Sequence, residues 1–101
     1  MSKPVITTSD ADLQILELDA WWREHRDKSP DLFETELAQA FELISFVPGA
    51  GKGHPHPRDP VRRLMLRRTR NHVYYVEYGD HVLVVAVWGA VKGAGPDFTG
   101  L

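Results

Sequence analysis

The sequence feature that most limits the fold is an uninterrupted run of seven apolar residues, 82–88, in a chain of 101 residues. A membrane-spanning helix needs roughly 20 such residues, so this run is too short to be one. A strand with one face in solvent alternates apolar and polar residues, and this run does not alternate. It therefore predicts a central strand that is covered on both faces. A chain of this length forms a single hydrophobic core, so we expect one domain over residues 1–101.

The first part of the chain predicts a short strand and then a helix. Residues 4–8 have β character, and Ser9 stands three residues before Asp12, a spacing that satisfies free amide groups at the start of a helix. The apolar positions that follow have helical spacing. The main stripe is formed by Ala11, Ile15, Leu18 and Trp22, and the residues expected to widen it are Leu13, Leu16 and Ala20.

A second helix is predicted from residue 30 to about residue 46. Ser29 followed by Pro30 is a favourable pair of a cap and a first helical residue. The expected buried face consists of Phe33, Leu37, Ala40, Ile44 and Val47. Because only a short turn separates the two helices, we expect them to form an antiparallel hairpin whose apolar stripes pack on another layer.

Three further strands are predicted after the helices. Residues 48–60 contain four prolines and three glycines, so we expect irregular structure there. Residues 61–67, 70–78 and 81–88 are rich in valine, leucine, tyrosine and tryptophan and predict an antiparallel meander. The predicted class is therefore α+β, with the element order β-α-α-β-β-β.

The absence of cysteine excludes disulfides, thiolate metal sites and cysteine nucleophiles, and it favours a cytoplasmic protein. His54 and His56 flank Pro55 and could share a metal ion, but no carboxylate is spaced locally to complete such a site. We therefore expect neither a metal nor a cofactor. The N-terminus has no apolar stretch of the kind found in a signal peptide.

Charge is distributed unevenly along the chain. The first 51 residues carry four basic and ten acidic side chains, whereas the remaining 50 carry eight basic and four acidic ones. Such asymmetry indicates a basic surface in the second half that is suited to an acidic partner or to nucleic acid. The alternative is an inert surface on which the basic and acidic groups pair with each other.

The basic half contains a concentrated cluster of arginines. Five of them lie within nine residues, and aromatic residues follow on the next predicted strand. Strand alternation puts Arg63 and Arg67 on the side of Met65. The arginines on the opposite side, that of Leu64, are Arg62 and Arg68.

Alternation also gives Arg70, His72 and Tyr74 a common face, which we expect to be exposed to solvent. Guanidinium and aromatic planes suit phosphates and unstacked bases, so these side chains predict a surface that binds nucleic acid. The alternative is pairing of the arginines with the acidic helices. Among the tryptophans, we expect Trp22 and Trp88 in the core and Trp21 facing a partner.

Several segments resemble the RelE/ParE toxin superfamily, and their order matches as well. The resemblance covers about residues 4–98 and is closest to ParE-like members. It is carried by residues 19–24 (DAWWRE), 30–33 (PDLF), 61–70 (VRRLMLRRTR), 73–75 (VYY) and 84–88 (VVAVW).

The resemblance implies a toxin of a bacterial type II toxin–antitoxin system, held inactive by a cognate antitoxin in a hetero-oligomer. ParE-like members inhibit DNA gyrase without a nuclease site, whereas RelE-like members cleave messenger RNA on the ribosome. Nucleases of the superfamily often have a catalytic tyrosine or histidine at the end of the last strand, where this chain has Trp88 and Gly89. This difference favours the gyrase inhibitor. The alternatives are a ribosome-dependent endoribonuclease and a diverged, non-toxic module that binds an antitoxin.

The resemblance also implies roles for individual residues. The expected target-binding residues are Arg63, Arg67, Arg68, Arg70, His72, Tyr74 and Lys92. If the protein is a ribonuclease, Arg68, Arg70 and His72 are its candidate catalytic residues. The expected antitoxin-binding residues are Trp21, Arg23 and Arg70. We expect the antitoxin to be a partly disordered acidic and apolar segment that folds on this surface.

Overall fold

The computed structural model describes residues 2–54 and 60–89. In this part of the chain the elements follow the predicted α+β order, with one additional strand. The strands are β1 (Val5–Thr7), β2 (Lys52–His54), β3 (Val61–Leu66), β4 (Asn71–Glu77) and β5 (Val82–Gly89). The helices are α1 (Ser9–His25) and α2 (Leu32–Phe46), and a short 3-10 turn follows at Pro48–Ala50.

The strands form one mixed sheet in the order β1-β5-β4-β3-β2. β1 is parallel to β5, and all other neighbours are antiparallel. β5 lies between β1 and β4, and Val82 and Val84 are fully buried. The prediction of a central strand from the apolar run is thus confirmed. A bulge interrupts the pairing of β4 with β5 at Tyr74 and Tyr75.

The two helices pack on one face of the sheet. Phe33, Leu37, Ala40 and Ile44 of α2 are buried as predicted, together with Ala11 of α1. They pack against side chains of β4 and β5 in the main core, which includes Val73, Tyr75, Val84 and Val87. A second cluster occupies the opposite face of the sheet and contains Val61, Tyr74, Val76, Val85 and Ala86.

Four apolar positions expected on the buried helix faces are exposed. Leu13 and Leu16 of α1 are 59% and 66% exposed, Ala20 of α1 is also exposed, and Val47 follows the end of α2 and is 51% exposed. The prediction for these four residues was wrong. On α1, the residues in helical register with Ala11 already fill the contact with the sheet, so side chains about a third of a turn or more away point to solvent.

The strand β2 was not predicted, because the segment is rich in glycine and proline. It forms an edge of the sheet, and Lys52 and Gly53 pair with Arg63 and Arg62 of β3. Arg62 also donates a hydrogen bond of 2.9 Å to the carbonyl of Gly51. Pairing with a neighbour overrides weak local strand propensity, which is common for short edge strands.

Both helices begin at caps that differ from the predicted ones. The N-cap of α1 is Thr8 rather than Ser9, and its hydroxyl accepts a hydrogen bond of 3.1 Å from the amide of Ala11. α2 begins at Leu32, and its N-cap Asp31 makes no capping hydrogen bond through its side chain. The predicted pair Ser29 and Pro30 belongs to the turn between the helices, because the carbonyl of Ser29 accepts from the amide of Leu32. Neither α1 nor α2 is long and apolar enough to cross a membrane.

Candidate functional site

The arginine-rich segment forms the turn between β3 and β4. In this arginine turn, residues 67–70, the side chains of Arg67, Arg68 and Arg70 are exposed, whereas Thr69 is buried. Arg70 adopts a left-handed backbone conformation with φ of 59°, which is uncommon for a residue with a side chain. A tight turn thus brings three guanidinium groups to the surface from four successive positions.

Glu36 of α2 is hydrogen-bonded to the arginine turn. Its carboxylate accepts hydrogen bonds from the amides of Arg68 and Thr69 at 2.8 and 3.0 Å, and from the hydroxyl of Thr69 at 2.6 Å. The side-chain amide of Asn71 donates to the Thr69 hydroxyl oxygen at 3.1 Å. The backbone of the turn is therefore fixed to a helix, and the arginine side chains are not needed for that attachment.

A groove of about 680 Å³ lies between α1 and the arginine turn. Its helical wall carries Glu17, Trp21 and Trp22, and the opposite wall carries Arg68 and Arg70. The end of β5, with Val87, Trp88 and Gly89, also lines it, and Arg26 lies at the end of α1. Three arginines and one glutamate line this groove, so its charge is positive while much of its lining is aromatic or apolar.

Aromatic side chains and Arg26 cluster at one end of the groove. The ring of Trp21 is 45% exposed and stacks on the ring of His25, with 4.5 Å between the centroids. The guanidinium carbon of Arg26 lies 5.4 Å from the Trp21 ring and 5.6 Å from the Trp22 ring, within range of cation–π attraction. Trp22 packs against the core and donates a hydrogen bond of 2.7 Å to the carbonyl of Ser29. This end of the groove therefore presents the exposed ring of Trp21 next to Trp22, whose position is fixed by the core and by its hydrogen bond to Ser29.

A second, smaller cavity lies on the face of the sheet opposite the helices. It has a volume of about 240 Å³ and is lined by Lys52, Arg63, Met65, Arg67 and His72, among others. Strand register brings these residues together, since Lys52 is opposite Arg63 and Met65 is opposite His72. The His72 ring also makes an edge-to-face contact with Tyr74, at 6.0 Å between centroids. The cavity combines three basic side chains with an imidazole.

The expected position of Tyr74 in solvent is wrong. Tyr74 is only 3% exposed, because it belongs to the buried cluster on the second face of the sheet. Alternation correctly predicts that it shares a face with His72, but that face is covered around Tyr74. The expectation that Arg70 shares the same face is wrong, because Arg70 belongs to the turn before β4 and lines the groove beside α1. Trp88 is partly buried and packs against the same cluster.

Arg23 lies outside the groove lining and joins the two helices. It pairs with Asp19 at 2.9 Å and also with Glu34 of α2. The hydrogen bond and charge of Asp19, with the nearby Glu34, raise the pKa of Arg23 further above its usual range. Its predicted contact with an antitoxin stays a prediction. Lys92 and His56 lie outside the described residues.

Three residues of these two sites were not predicted from the sequence. Arg26 follows Trp22 by four positions, and such a spacing on a helix could have indicated their contact. Lys52 was overlooked because its segment was expected to be irregular. Glu36 meets a turn that is more than 30 residues away in the chain, and no local pattern signals such a contact.

No protein-family model matches the chain, and no curated protein sequence matches it. Its structure is similar to a chain of the chromosomal ParDE toxin–antitoxin (TA) system from P. aeruginosa, with a TM-score of 0.70 and 14% sequence identity. The similarity covers 87% of this chain and 96% of that chain. The ParE-like α+β fold that the sequence resemblance implies is therefore confirmed.

Proposed function

We propose that this protein is the toxin of a bacterial type II toxin–antitoxin system, that it inhibits DNA gyrase, and that a cognate antitoxin neutralises it. The observation that carries this proposal is a ParE-like fold in which three exposed arginines lie on one turn, and the backbone of that turn is hydrogen-bonded to Glu36. The proposed site of action is the bacterial cytoplasm, where gyrase works. The proposed inhibition is a binding event and requires no catalytic group.

The arginine turn supplies the proposed contact with gyrase or with the DNA that gyrase holds. Guanidinium groups bind phosphates through two parallel hydrogen bonds and keep their charge at any physiological pH. Arg67, Arg68 and Arg70 are exposed, and no ion pair within residues 2–54 and 60–89 involves them. An anionic target therefore meets three cations without having to displace an internal carboxylate from them.

The groove beside the arginine turn is the proposed antitoxin site. Its aromatic and apolar lining favours burial of apolar side chains, and Arg26, Arg68 and Arg70 favour acidic ones. A disordered segment with both kinds of side chain could fold on binding there. Because Arg68 and Arg70 belong both to the groove and to the turn, an occupant of the groove would cover two of the three proposed target contacts.

A second candidate function is ribosome-dependent cleavage of messenger RNA. Lys52, Arg63 and His72 in the smaller cavity favour it, because cleavage through a 2′-hydroxyl needs a proton acceptor and cations near the phosphate. The third alternative is a non-toxic module that only binds an antitoxin, for which induced expression without the antitoxin would be harmless.

Two sets of substitutions distinguish these functions. Arg68→Ala with Arg70→Ala alters the arginine turn, whereas Lys52→Ala with His72→Ala alters the smaller cavity. Both proteins would be expressed from an inducible promoter in cells without antitoxin, and each purified protein would be assayed for gyrase supercoiling and for cleavage of translated messenger RNA. We expect the first pair alone to abolish growth arrest and gyrase inhibition. Messenger RNA cleavage that is lost in the second pair would instead establish the ribonuclease.

A further inference from the structure

The carboxylate of Glu36 lies beside an arginine cluster but is hydrogen-bonded to backbone amides and a hydroxyl instead of to guanidinium groups. Three guanidinium groups project from the turn that it contacts, yet its two oxygens accept only from the amides of Arg68 and Thr69 and from the Thr69 hydroxyl in the described part of the chain. No ion pair within that part joins it to Arg67, Arg68 or Arg70. The carboxylate therefore stabilises the backbone of the turn and leaves its charged side chains directed outward.

The backbone of this turn needs such support. Arg70 has a φ of 59°, a conformation that costs free energy for a residue with a Cβ and persists where the surroundings impose it. The amide of Arg70 donates to the carbonyl of Leu66 at 2.8 Å, and Thr69 is further held by Asn71. Hydrogen bonds to a charged acceptor are roughly twice as strong as neutral ones, so the carboxylate is the strongest of these attachments.

We propose that Glu36 is a positioning residue, which holds the arginine turn so that its guanidinium groups bind the phosphate backbone of DNA. This inference rests on the proposed function and adds to it a residue that acts through the turn rather than by contact with the target. Without the carboxylate, the turn samples several conformations. The binding-competent fraction of the protein then falls, and the apparent affinity falls with it.

The sign of the effect separates positioning from simple electrostatics. Removal of a negative charge makes a protein more positive and strengthens its binding to a polyanion. If Glu36 acted only through its charge, Glu36→Gln would bind DNA more tightly. Positioning predicts the opposite, because glutamine keeps one acceptor oxygen but turns an amide donor toward groups that are themselves donors.

Glu34→Gln is the matched control. Glu34 lies two residues earlier on the same helix, is exposed, and contacts Arg23 rather than the turn. The substitution changes net charge by the same amount as Glu36→Gln. Thr69→Val and Thr69→Ser form a second pair, because valine removes the hydroxyl that donates to Glu36 and serine keeps it.

The affinity of each full-length variant for a short labelled DNA duplex is measured by fluorescence anisotropy over a range of salt concentrations. Exchange of the Arg68 and Thr69 amide protons, followed by NMR, reports whether the turn is held. We expect Glu36→Gln to weaken binding about tenfold through loss of the competent fraction. The plot of log affinity against log salt should be lowered without a change of slope, because the molecules that do bind still make the same phosphate contacts. Glu34→Gln should bind as tightly as the unaltered protein or more tightly, and serine at position 69 should restore what valine loses.

Tighter or unchanged DNA binding by Glu36→Gln, with the amide protons still protected, would overturn the inference. So would an unaltered protein whose binding to the duplex does not depend on salt or on Arg68 and Arg70. A failure of the proposed function is recognised separately. In that case the duplex assay gives the predicted order of variants while the unaltered protein leaves gyrase supercoiling intact.

Discussion

A single hydroxyl group, that of Tyr75, joins β4 to the segment that precedes β3. Tyr75 is fully buried, donates a hydrogen bond of 2.6 Å to the carbonyl of Pro48, and accepts one of 2.8 Å from the amide of Gly51. A Cβ atom on Gly51 would lie 2.7 Å from that hydroxyl oxygen, so glycine is required by the close approach. Tyr75 thereby holds the backbone just before β2 in place. β2 carries Lys52, which lines the smaller cavity.

Tyr75→Phe should lower the free energy of unfolding at neutral pH by about 1–3 kcal/mol, because the buried amide of Gly51 and the partly buried carbonyl of Pro48 lose their partner. Burial raises the pKa of Tyr75 above its usual value. The neutral ring therefore contributes stability that is complete below about pH 10 and is lost as pH rises through the higher pKa of the folded state. Urea unfolding at neutral and at alkaline pH measures both effects.

The phenylalanine variant is also the control for the pH dependence, since it has no hydroxyl to ionise at this position. Its stability should fall less between neutral and alkaline pH than that of the unaltered protein. Equal stability of the two proteins at neutral pH would contradict the bridging role of the hydroxyl.

At the scale of elements, a side chain of α1 supplies a hydrogen-bond acceptor to the part of β5 that β1 does not pair. β1 pairs with β5 only at Val82–Val84. Beyond that point, the side-chain carbonyl of Gln14 accepts a hydrogen bond of 2.8 Å from the amide of Val87. Unpaired strand edges attract other strands, so Gln14 satisfies a backbone donor that β1 does not pair and limits unwanted pairing.

Gln14→Ala should therefore destabilise the protein by about 1 kcal/mol and increase its self-association, because the amide of Val87 loses its acceptor. Chemical denaturation and sedimentation at increasing protein concentration measure these two effects. Gln39→Ala is the control, since Gln39 is an exposed glutamine on α2. Identical behaviour of the two alanine variants would show that the edge needs no acceptor from α1.

The elements that the sequence could predict are those with a strong periodic signal. The apolar run 82–88 predicts a strand that is buried on both faces. The spacing of Phe33, Leu37 and Ile44 predicts that they lie on the same, buried face of a helix. β2 has no such signal in its own residues. It becomes a strand because β3 provides its hydrogen-bond partners. The choice between Thr8 and Ser9 as a cap depends on where β1 ends, which local spacing does not determine.

The candidate site could be predicted in composition but only in part in geometry. The arginine cluster is evident in the sequence, and alternation correctly gives His72 and Tyr74 a common face, since their rings are in contact. It does not reveal that the same face is covered at Tyr74. The contact of Glu36 with the turn requires the packing of α2 beside β3 and β4, which no single segment encodes.

Over the whole molecule, charge is separated between two layers. Most acidic side chains of the first half lie on the helices, whereas the arginine turn and the smaller cavity carry most of the exposed cations among the described residues. Only a few ion pairs join opposite charges there, such as Arg23 with Asp19 and Lys3 with Glu77. A net charge of −2 therefore coexists with a strongly positive face.

This separation predicts how an acidic antitoxin should associate. Its association rate should fall by about tenfold or more between low and high salt, because electrostatic steering is screened. Arg68→Ala with Arg70→Ala should flatten that dependence, whereas Trp21→Ala should mainly raise the dissociation rate through loss of apolar contact. Stopped-flow fluorescence measures both rates. A rate that does not change with salt would contradict binding at the positive groove.

The most direct test of the central claim is a gyrase assay with purified protein. Gyrase, relaxed plasmid and ATP are incubated with the protein, and supercoiled and cleaved DNA are separated on a gel after the enzyme is denatured and digested. We expect supercoiling to decline and linear DNA to accumulate as the protein is added, with neither effect for Arg68→Ala combined with Arg70→Ala. Complete supercoiling with the protein in excess, together with cleavage of messenger RNA on translating ribosomes, would contradict the account.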